Sequence, residues 1–451
     1  MQVMLPIRPR TNTENVSFAG IIKRIHRLYS MNMIFVLDLS FVIVHNTGVQ
    51  NSRHERSGCI MIKRELYMAQ IRPFIGKDII KVITGLRRSG KSVMIDLLRD
   101  EIGDPKHSIY FNFESRKNAK YTKPDVLYEY VLKKTGESRD KWYLFFDEIQ
   151  EVKNWEEVVN SFRVDFDADI YITGSNAKLL SGELATLISG RYVQFIIYPF
   201  SFGEFIDLNK GKNFSDYLRL GGMPFISNII GDEKAAGLYL EDVYNSVILK
   251  DVVKRNNIRD VDLLDRIITF VLANIGQPFS ATSISKHFKN EQRRVSTDTV
   301  LNYLRACEEA YLFYRVKRQD IKGRKILEVA EKYFIVDHGL REAVYGKHMD
   351  DVGQVLENIV FLELLRRGYK VTVGTISDTE IDFVGVKNGE PIYIQVAYLM
   401  PNKTTQEREF DNLLKIEDNY PKYVVTMDEV NMSQKGIKHI NIKDFLLGAW
   451  D

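Results

Sequence analysis

Residues 85–92 read GLRRSGKS, a run whose residue types and spacing suit one chemistry, the grip of a phosphate chain. Gly85 and Gly90 let the backbone of Leu86, Arg87, Arg88 and Ser89 curl so that its N–H groups face an anion, at the positive end of a helix that continues through Val93. Lys91 would set a cation on the β- and γ-phosphates, and Ser92 would offer a hydroxyl to Mg2+. Further on, KWYLFFDEIQ (141–150) closes an apolar run with Asp147 and Glu148. Asp147 is the expected carboxylate for Mg2+, held through water, and Glu148 is placed to polarise a water for attack on the γ-phosphate. A simple nucleotide kinase has no use for that second acid, so the pair predicts hydrolysis.

These side chains need strands and a helix to hold them. DIIKVITG (78–85) is a β-branched run of the kind that fills a buried parallel strand. After the loop, Val93, Ile95, Leu97, Leu98 and Ile102 recur at near-helical spacing. SIYFNFES (108–115) and DIYITGSNA (169–177) read as further strands of the same open sheet, whose carboxyl ends face a ligand crevice. Asn112 is therefore expected to hydrogen-bond Glu148 and hold it off the water. One of Thr173, Ser175 and Asn176 is expected to sense the γ-phosphate, against a turn-forming role for each.

The rest of the chain divides by pattern. Residues 201–276 are helix-rich, with GGMPF as a dividing turn. Beyond them, helices over 281–289 and 296–310 and two strands flanking DIKGRK follow a winged-helix order across 277–350. The second helix offers Asp298, Glu308 and Glu309 against Arg305, a poor face for a phosphate-lined groove. Basic residues at the turn and wing, Arg293 and Lys322 among them, would limit DNA contact to its backbone.

Residues 351–451 carry a third arrangement. Glu357 lies on an apolar helix, Glu380 and Asp382 open a strand, and a KNGE turn leads to a strand reading Gln395-Val396-Ala397. This order resembles the PD-(D/E)XK nuclease superfamily, in which carboxylates grip Mg2+ and a lysine activates water. Here the third carboxylate is an amide and the lysine a methyl group. The expectation is a degenerate centre with little or no cleavage, unless Lys387 or Lys403 substitutes.

Charge and composition narrow the partners. The whole chain is +3, but residues 1–60 carry seven Arg or Lys against three acids, which leaves the remainder at −1. Bulk charge thus makes no case for nucleic acid. The apolar run at 31–45 is short for a membrane span and Asp38 interrupts it. Residues 1–60 read as a poorly structured extension or an upstream mis-start, with Met61 as the natural beginning. Two distant cysteines, Cys59 and Cys307, suggest a reducing compartment and offer no zinc spacing.

Strand, GLRRSGKS, NFES, FFDEIQ, ITGSNAKLLSG and SGRYVQFIIYPFSFGEF together resemble a family of prokaryotic AAA-type ATPases with a C-terminal domain of unknown function. YLRLGGMPF, YLEDVYNSVILKDVVKR and KYFIVDHGLREAVYG continue the resemblance to the C-terminus. It implies an α/β fold, a P-loop doubly wound parallel sheet over 61–200, with ATP and Mg2+ as ligands. It also implies Arg191 as an arginine finger acting on a neighbour's ATP, hence a homo-oligomer. The function expected is ATP-driven rearrangement of the later domains on a protein or DNA partner in the cytoplasm, with no membrane. A nucleotide-held switch and an ATP-gated nuclease are the competing readings.

Overall fold

The computed structural model describes residues 62–136, 140–180, 190–290, 293–323, 325–346 and 351–450. The extension expected over 1–60 and the start at Met61 lie outside them, as does Arg324 of the expected wing. The first sheet has five parallel strands: β1 (Ile80–Thr84), β2 (Ser108–Asn112), β3 (Trp142–Asp147), β4 (Ala168–Gly174) and β5 (Tyr192–Ile196). Their order is β2-β3-β4-β1-β5. Every residue of β1 and β4 is buried, which is why both read as near-continuous apolar runs. The chain leaves β1 for the far edge, returns through β3 and β4, and crosses β1 to reach β5. That reversal opens a crevice at the carboxyl ends of β1, β3 and β4.

Helices α1 (Glu65–Ile71), α2 (Lys91–Ile102), α3 (Pro124–Thr135) and α4 (Trp155–Asp165) belong to this module. A helical segment follows: α5 (Phe202–Leu208), α6 (Phe214–Leu220) and α7 (Glu233–Ser246), which runs into a π-helical stretch, Val247–Lys254, before α8 (Val261–Ala273). Capping boxes at Ser201 and Asn213 fix the starts of α5 and α6. Next come β6 (Pro278–Phe279), α9 (Ala281–Asn290), α10 (Thr297–Glu309), β7 (Phe313–Asp320), β8 (Lys325–Ile335) and α11 (His338–Tyr345).

The last region is α12 (Val352–Arg366), β9 (Lys370–Ile376), β10 (Thr379–Lys387), β11 (Glu390–Val396), α13 (Lys403–Leu414), β12 (Lys422–Thr426), β13 (Lys438–Asn441) and α14 (Ile442–Leu446). Its strands do not form a separate sheet. β7 pairs in parallel with β9 at Arg318–Val373, Gln319–Gly374 and Asp320–Thr375, so one eight-stranded sheet runs β13-β12-β11-β10-β9-β7-β8-β6. The boundary expected at 350/351 therefore does not divide the sheet, because the free edge of β7 is covered by β9. α12 also packs back on the first module, where Arg366 donates to the carbonyls of Pro199 and Phe200 at 3.2 and 3.4 Å. No helix among the described residues is long and apolar enough to cross a membrane.

Candidate functional site

The glycine-rich loop leaves β1 at Gly85, whose φ is 141°. A Cβ there would overlap the carbonyl oxygen of Ile197, so only glycine lets the loop turn this close to the chain that follows β5. Gly90, at φ 101°, starts α2. Arg64 supports the loop from behind: its guanidinium donates to the Ser89 carbonyl at 2.9 Å and to Glu204 at 2.8 Å. Lys91 is buried, with Nζ donating to the carbonyls of Gly85 and Leu86 at 3.2 and 3.1 Å and lying 3.6 Å from Glu148 Oε1.

Asp147 ends β3 and Glu148 follows it, across from this lysine, and both are buried. Glu148 sits at φ 55°, a left-handed conformation that a side chain adopts only under constraint from its surroundings. The Thr173 hydroxyl supplies that constraint, donating to Asp147 Oδ1 and accepting the Glu148 N–H at 2.8 Å. Burial, and then the Glu148 charge, push the Asp147 carboxyl up to about 6, against hydrogen bonds from Thr173 and Ser92. A bound divalent cation would offset that cost. Burial acts on Glu148 in the same direction, but Lys91, Arg87, Gln150 and Arg255 outweigh it and hold its carboxyl below the ordinary glutamate value. Glu148 is thus ionised at neutral pH, as a general base must be.

The structure redistributes the other expected roles. Asn112 does not reach Glu148: its amide donates to Asp147 Oδ2 at 3.1 Å, and its Oδ1 accepts the Glu114 N–H at 3.0 Å. Because β2 pairs with β3 in register, Asn112 stands opposite Asp147, one residue short of the glutamate. The amide on Glu148 belongs to Gln150 instead. Among the three sensor candidates, Thr173 is spent on the acids, and Ser175 donates to Asp251 at 3.3 Å. Asn176 caps its own turn through Oδ1, at 2.6 Å from the Lys178 N–H, while its amide nitrogen is buried without a hydrogen-bond partner. That leaves Asn176 with an unspent donor. Arg191 is exposed at the start of β5, donating to Asn160 at 3.0 Å. It stands at the opposite end of the sheet from the loop, a strand length away.

Two residues that sequence reasoning missed come from the helical segment. Asp251, buried in the π-helical stretch, accepts Arg87 at 2.9 and 3.3 Å, and Arg255 lies 3.1 Å from it. The signal in the sequence was LKDVVKR, an acid and a base four apart, which pattern alone reads as a solvated helix pair.

In the C-terminal region the expected acids do meet. Lys332 of β8 is 2% exposed, and its ammonium lies 2.7 Å from Glu380, 3.5 Å from Glu357 and 4.0 Å from Asp382. Gln395 Oε1 accepts the Asp382 N–H at 3.4 Å, and Asp382 accepts the Val396 N–H at 2.8 Å. Neither suggested substitute lysine is present: Lys387 stacks over Tyr369 at 5.3 Å, and Lys403 faces Glu407 at 3.7 Å. Burial, then the Asp382 charge, push the Glu357 carboxyl up to about 8, and burial pushes Asp382 up to about 6. Among the described residues, no group of three or more His, Cys, Asp or Glu side chains is arranged to hold a metal ion.

For Mg2+ and a triphosphate, the first site fits. The Ser92 hydroxyl and the Asp147 carboxylate are the donor pair that Mg2+ takes beside a glycine-rich loop, and buried polar atoms of Ser89 and Asn176 have no partner in the protein.

A family profile described as an AAA domain matches residues 77–206, and a domain of unknown function matches residues 211–351. An uncharacterised protein of Haemophilus influenzae is 41% identical over 400 residues, covering 86% of this chain and 99% of its own. One from Methanocaldococcus jannaschii is 30% identical over 387 residues, covering 81% and 85%. Among solved structures, the Walker-type ATPase PABY2304 of Pyrococcus abyssi aligns with a TM-score of 0.45 at 14% identity, covering 64% of this chain and 97% of that one. This chain belongs to the family of the Haemophilus influenzae protein, and its first module is an AAA domain of the P-loop ATPase kind.

Proposed function

We propose that the chain binds Mg-ATP in the crevice of the five-stranded sheet, hydrolyses it, and uses the cycle to move its later regions on a protein or DNA partner in the cytoplasm. The observation that carries this reading is Glu148, constrained at φ 55° and 3.6 Å from the loop lysine. In this reading the backbone of residues 85–92 and Lys91 hold the phosphates, while Ser92 and Asp147 hold Mg2+. When bound, the ion neutralises charge on the β- and γ-phosphate oxygens. Glu148 accepts a proton from the attacking water, Gln150 orients that carboxylate, and the free amide of Asn176 meets the γ-phosphate.

Coupling to the later regions is supported by direct ties to the loop's own strand. Tyr311, after α10, donates its hydroxyl to Thr84 Oγ1 at 2.8 Å, one residue before Gly85. The order α8-β6-α9-α10-β7-β8 supports a winged-helix reading of the middle, and α12-β9-β10-β11-α13-β12 supports a nuclease-like reading of the end. The proposed winged helix suits a protein contact better than base readout. Arg293, a basic residue of its turn, is already paired with Asp260 and Asp262.

Arg191 remains a proposed finger for a neighbouring copy, since its end of the sheet cannot serve its own chain's loop. Excess Arg191→Ala/Glu148→Gln protein mixed with wild type should then change turnover per wild-type subunit. Unchanged turnover after proven mixing would remove the finger. The function itself is tested by ATP hydrolysis with and without single- and double-stranded DNA. DNA stimulation would assign the work to nucleic acid, and its absence beside Glu148-dependent turnover would point to a protein partner or to remodelling of the chain's own domains.

A further inference from the structure

Asp251 lies 164 residues from Arg87 in sequence, yet its carboxylate joins three parts of the ATP crevice. It takes two hydrogen bonds from Arg87 of the glycine-rich loop and one from Ser175 at the end of β4, and it pairs with Arg255. Arg255 closes the ring by donating to Ser175 at 3.2 Å. Asp251 is 1% exposed, so its carboxylate faces these donors rather than bulk solvent. It sits in a π-helical stretch, a less stable backbone form that turns its side chains away from an α-helix's regular face and recurs at functional sites.

We propose that Asp251 is a positioning residue of the ATPase site, fixing Arg87 and Arg255 at the rim of the crevice and so making the helical segment part of that site. This inference rests on the ATPase reading above. Both guanidiniums act electrostatically on Glu148, so their placement sets the field in which that carboxylate works. A purely architectural pair would make a different prediction. Loss of the carboxylate would then loosen the fold, and binding and turnover would fall together. A positioning role separates the two: the arginines keep their charge and attract phosphate, but no longer sit where turnover needs them.

The experiment compares Asp251→Asn with wild type for affinity toward a non-hydrolysable ATP analogue, for turnover and for thermal midpoint. Turnover should fall on the order of 10- to 100-fold while analogue affinity tightens a few-fold. The charge-balanced Asp251→Asn/Arg255→Gln variant guards against misfolding and should also lose turnover on that scale. Retained turnover in either variant, or weakened analogue binding, overturns the assignment. If wild type hydrolyses no ATP, the ATPase reading falls, and the analogue affinity still decides Asp251.

A second, independent observation concerns Lys332. Its ammonium stands between carboxylates from two other elements, Glu357 on α12 and Glu380 and Asp382 on β10, while Arg318 of β7 adds a second cation 3.4 Å from Glu380. Gly276 leaves room for Glu357, since a Cβ there would come within 3.1 Å of its Oε2. We infer that Lys332 occupies the cation position of this carboxylate centre, so that the protein's own ammonium stands where a nuclease would hold a divalent ion. The β7–β8 hairpin is thereby fastened to the C-terminal region by charge as well as by the β7–β9 pairing.

Calorimetric titration of Mn2+ into nucleotide-free full-length protein tests this. Wild type and Asp382→Asn should bind the same number of ions, because the centre takes none. Lys332→Met should gain one site that Asp382→Asn then removes. A lower Mn2+ stoichiometry in Asp382→Asn than in wild type overturns the inference, even if Lys332→Met cannot be prepared. So does a Lys332→Met protein that folds and gains no site.

Discussion

Lys91 and Lys332 are both buried beside carboxylates, yet the two lysines are supplied in opposite ways. Lys91 comes from the first turn of a helix whose preceding loop is glycine-rich, and it meets Glu148 at 3.6 Å with its other contacts made to backbone carbonyls. Lys332 comes from the middle of a paired strand and is enclosed by three acids, the nearest at 2.7 Å. The first cation can exchange carbonyl contacts for phosphate at little cost. The second can leave only by exposing three carboxylates to one another in a poorly solvated space. The lysine at the helix start builds a site for a ligand, whereas the lysine on the strand fills one.

The sharpest break of this comparison is to remove each lysine. Lys91→Ala should abolish ATP binding, and turnover should fall by about two orders of magnitude or more with little change in thermal midpoint. Lys332→Met should do the reverse. Leaving buried carboxylates without their cation costs about 3–5 kcal/mol, read in chemical denaturation, while ATP binding is kept. Equal effects of both substitutions on ATP binding would erase the distinction.

The acids sharpen it next. Glu357 carries a folded-state pKa of about 8, above the ordinary glutamate value. Between about pH 4.5 and 8 the folded chain therefore keeps a proton that the unfolded chain gives up. Stability falls as pH rises through that window and levels off above it. Glu357→Gln, which cannot ionise, should flatten this part of the profile of midpoint against pH. A profile identical to wild type would mean that Glu357 is not held protonated. The smallest effect is expected at Asn112→Ala. It removes one hydrogen bond to Asp147, worth about 1 kcal/mol, and should raise the Mg2+ needed for half-maximal turnover a few-fold.

What the sequence could reveal follows from how far apart the cooperating residues lie. The phosphate loop is eight consecutive residues between a strand and a helix, so local spacing carries nearly all of its chemistry. Asp147 and Glu148 are adjacent, and the apolar run before them, WYLFF, predicts the strand at whose carboxyl end they stand. Asn112 lies at the expected carboxyl end of its strand but bonds Asp147 rather than Glu148, because register decides between neighbours and register is not written in a single strand. Asp251 and Lys332 depend on packing between segments distant in sequence. The Glu-x-Lys strand looked for in 395–397 is indeed lost, but the fold brings in a lysine from β8, where no spacing rule would seek it. The shared eight-stranded sheet is hidden for the same reason, since its joining pair, β7 and β9, is separated by strand β8 and two helices.

The central claim is that Glu148 is the base of an ATP-hydrolysing site, and single-turnover hydrolysis by wild type and Glu148→Gln, beside direct measurement of bound ATP, tests it most directly. The variant should hold ATP as wild type does and lose hydrolysis on the order of 10²- to 10³-fold. Hydrolysis at the wild-type rate by Glu148→Gln, with ATP bound equally, would contradict it.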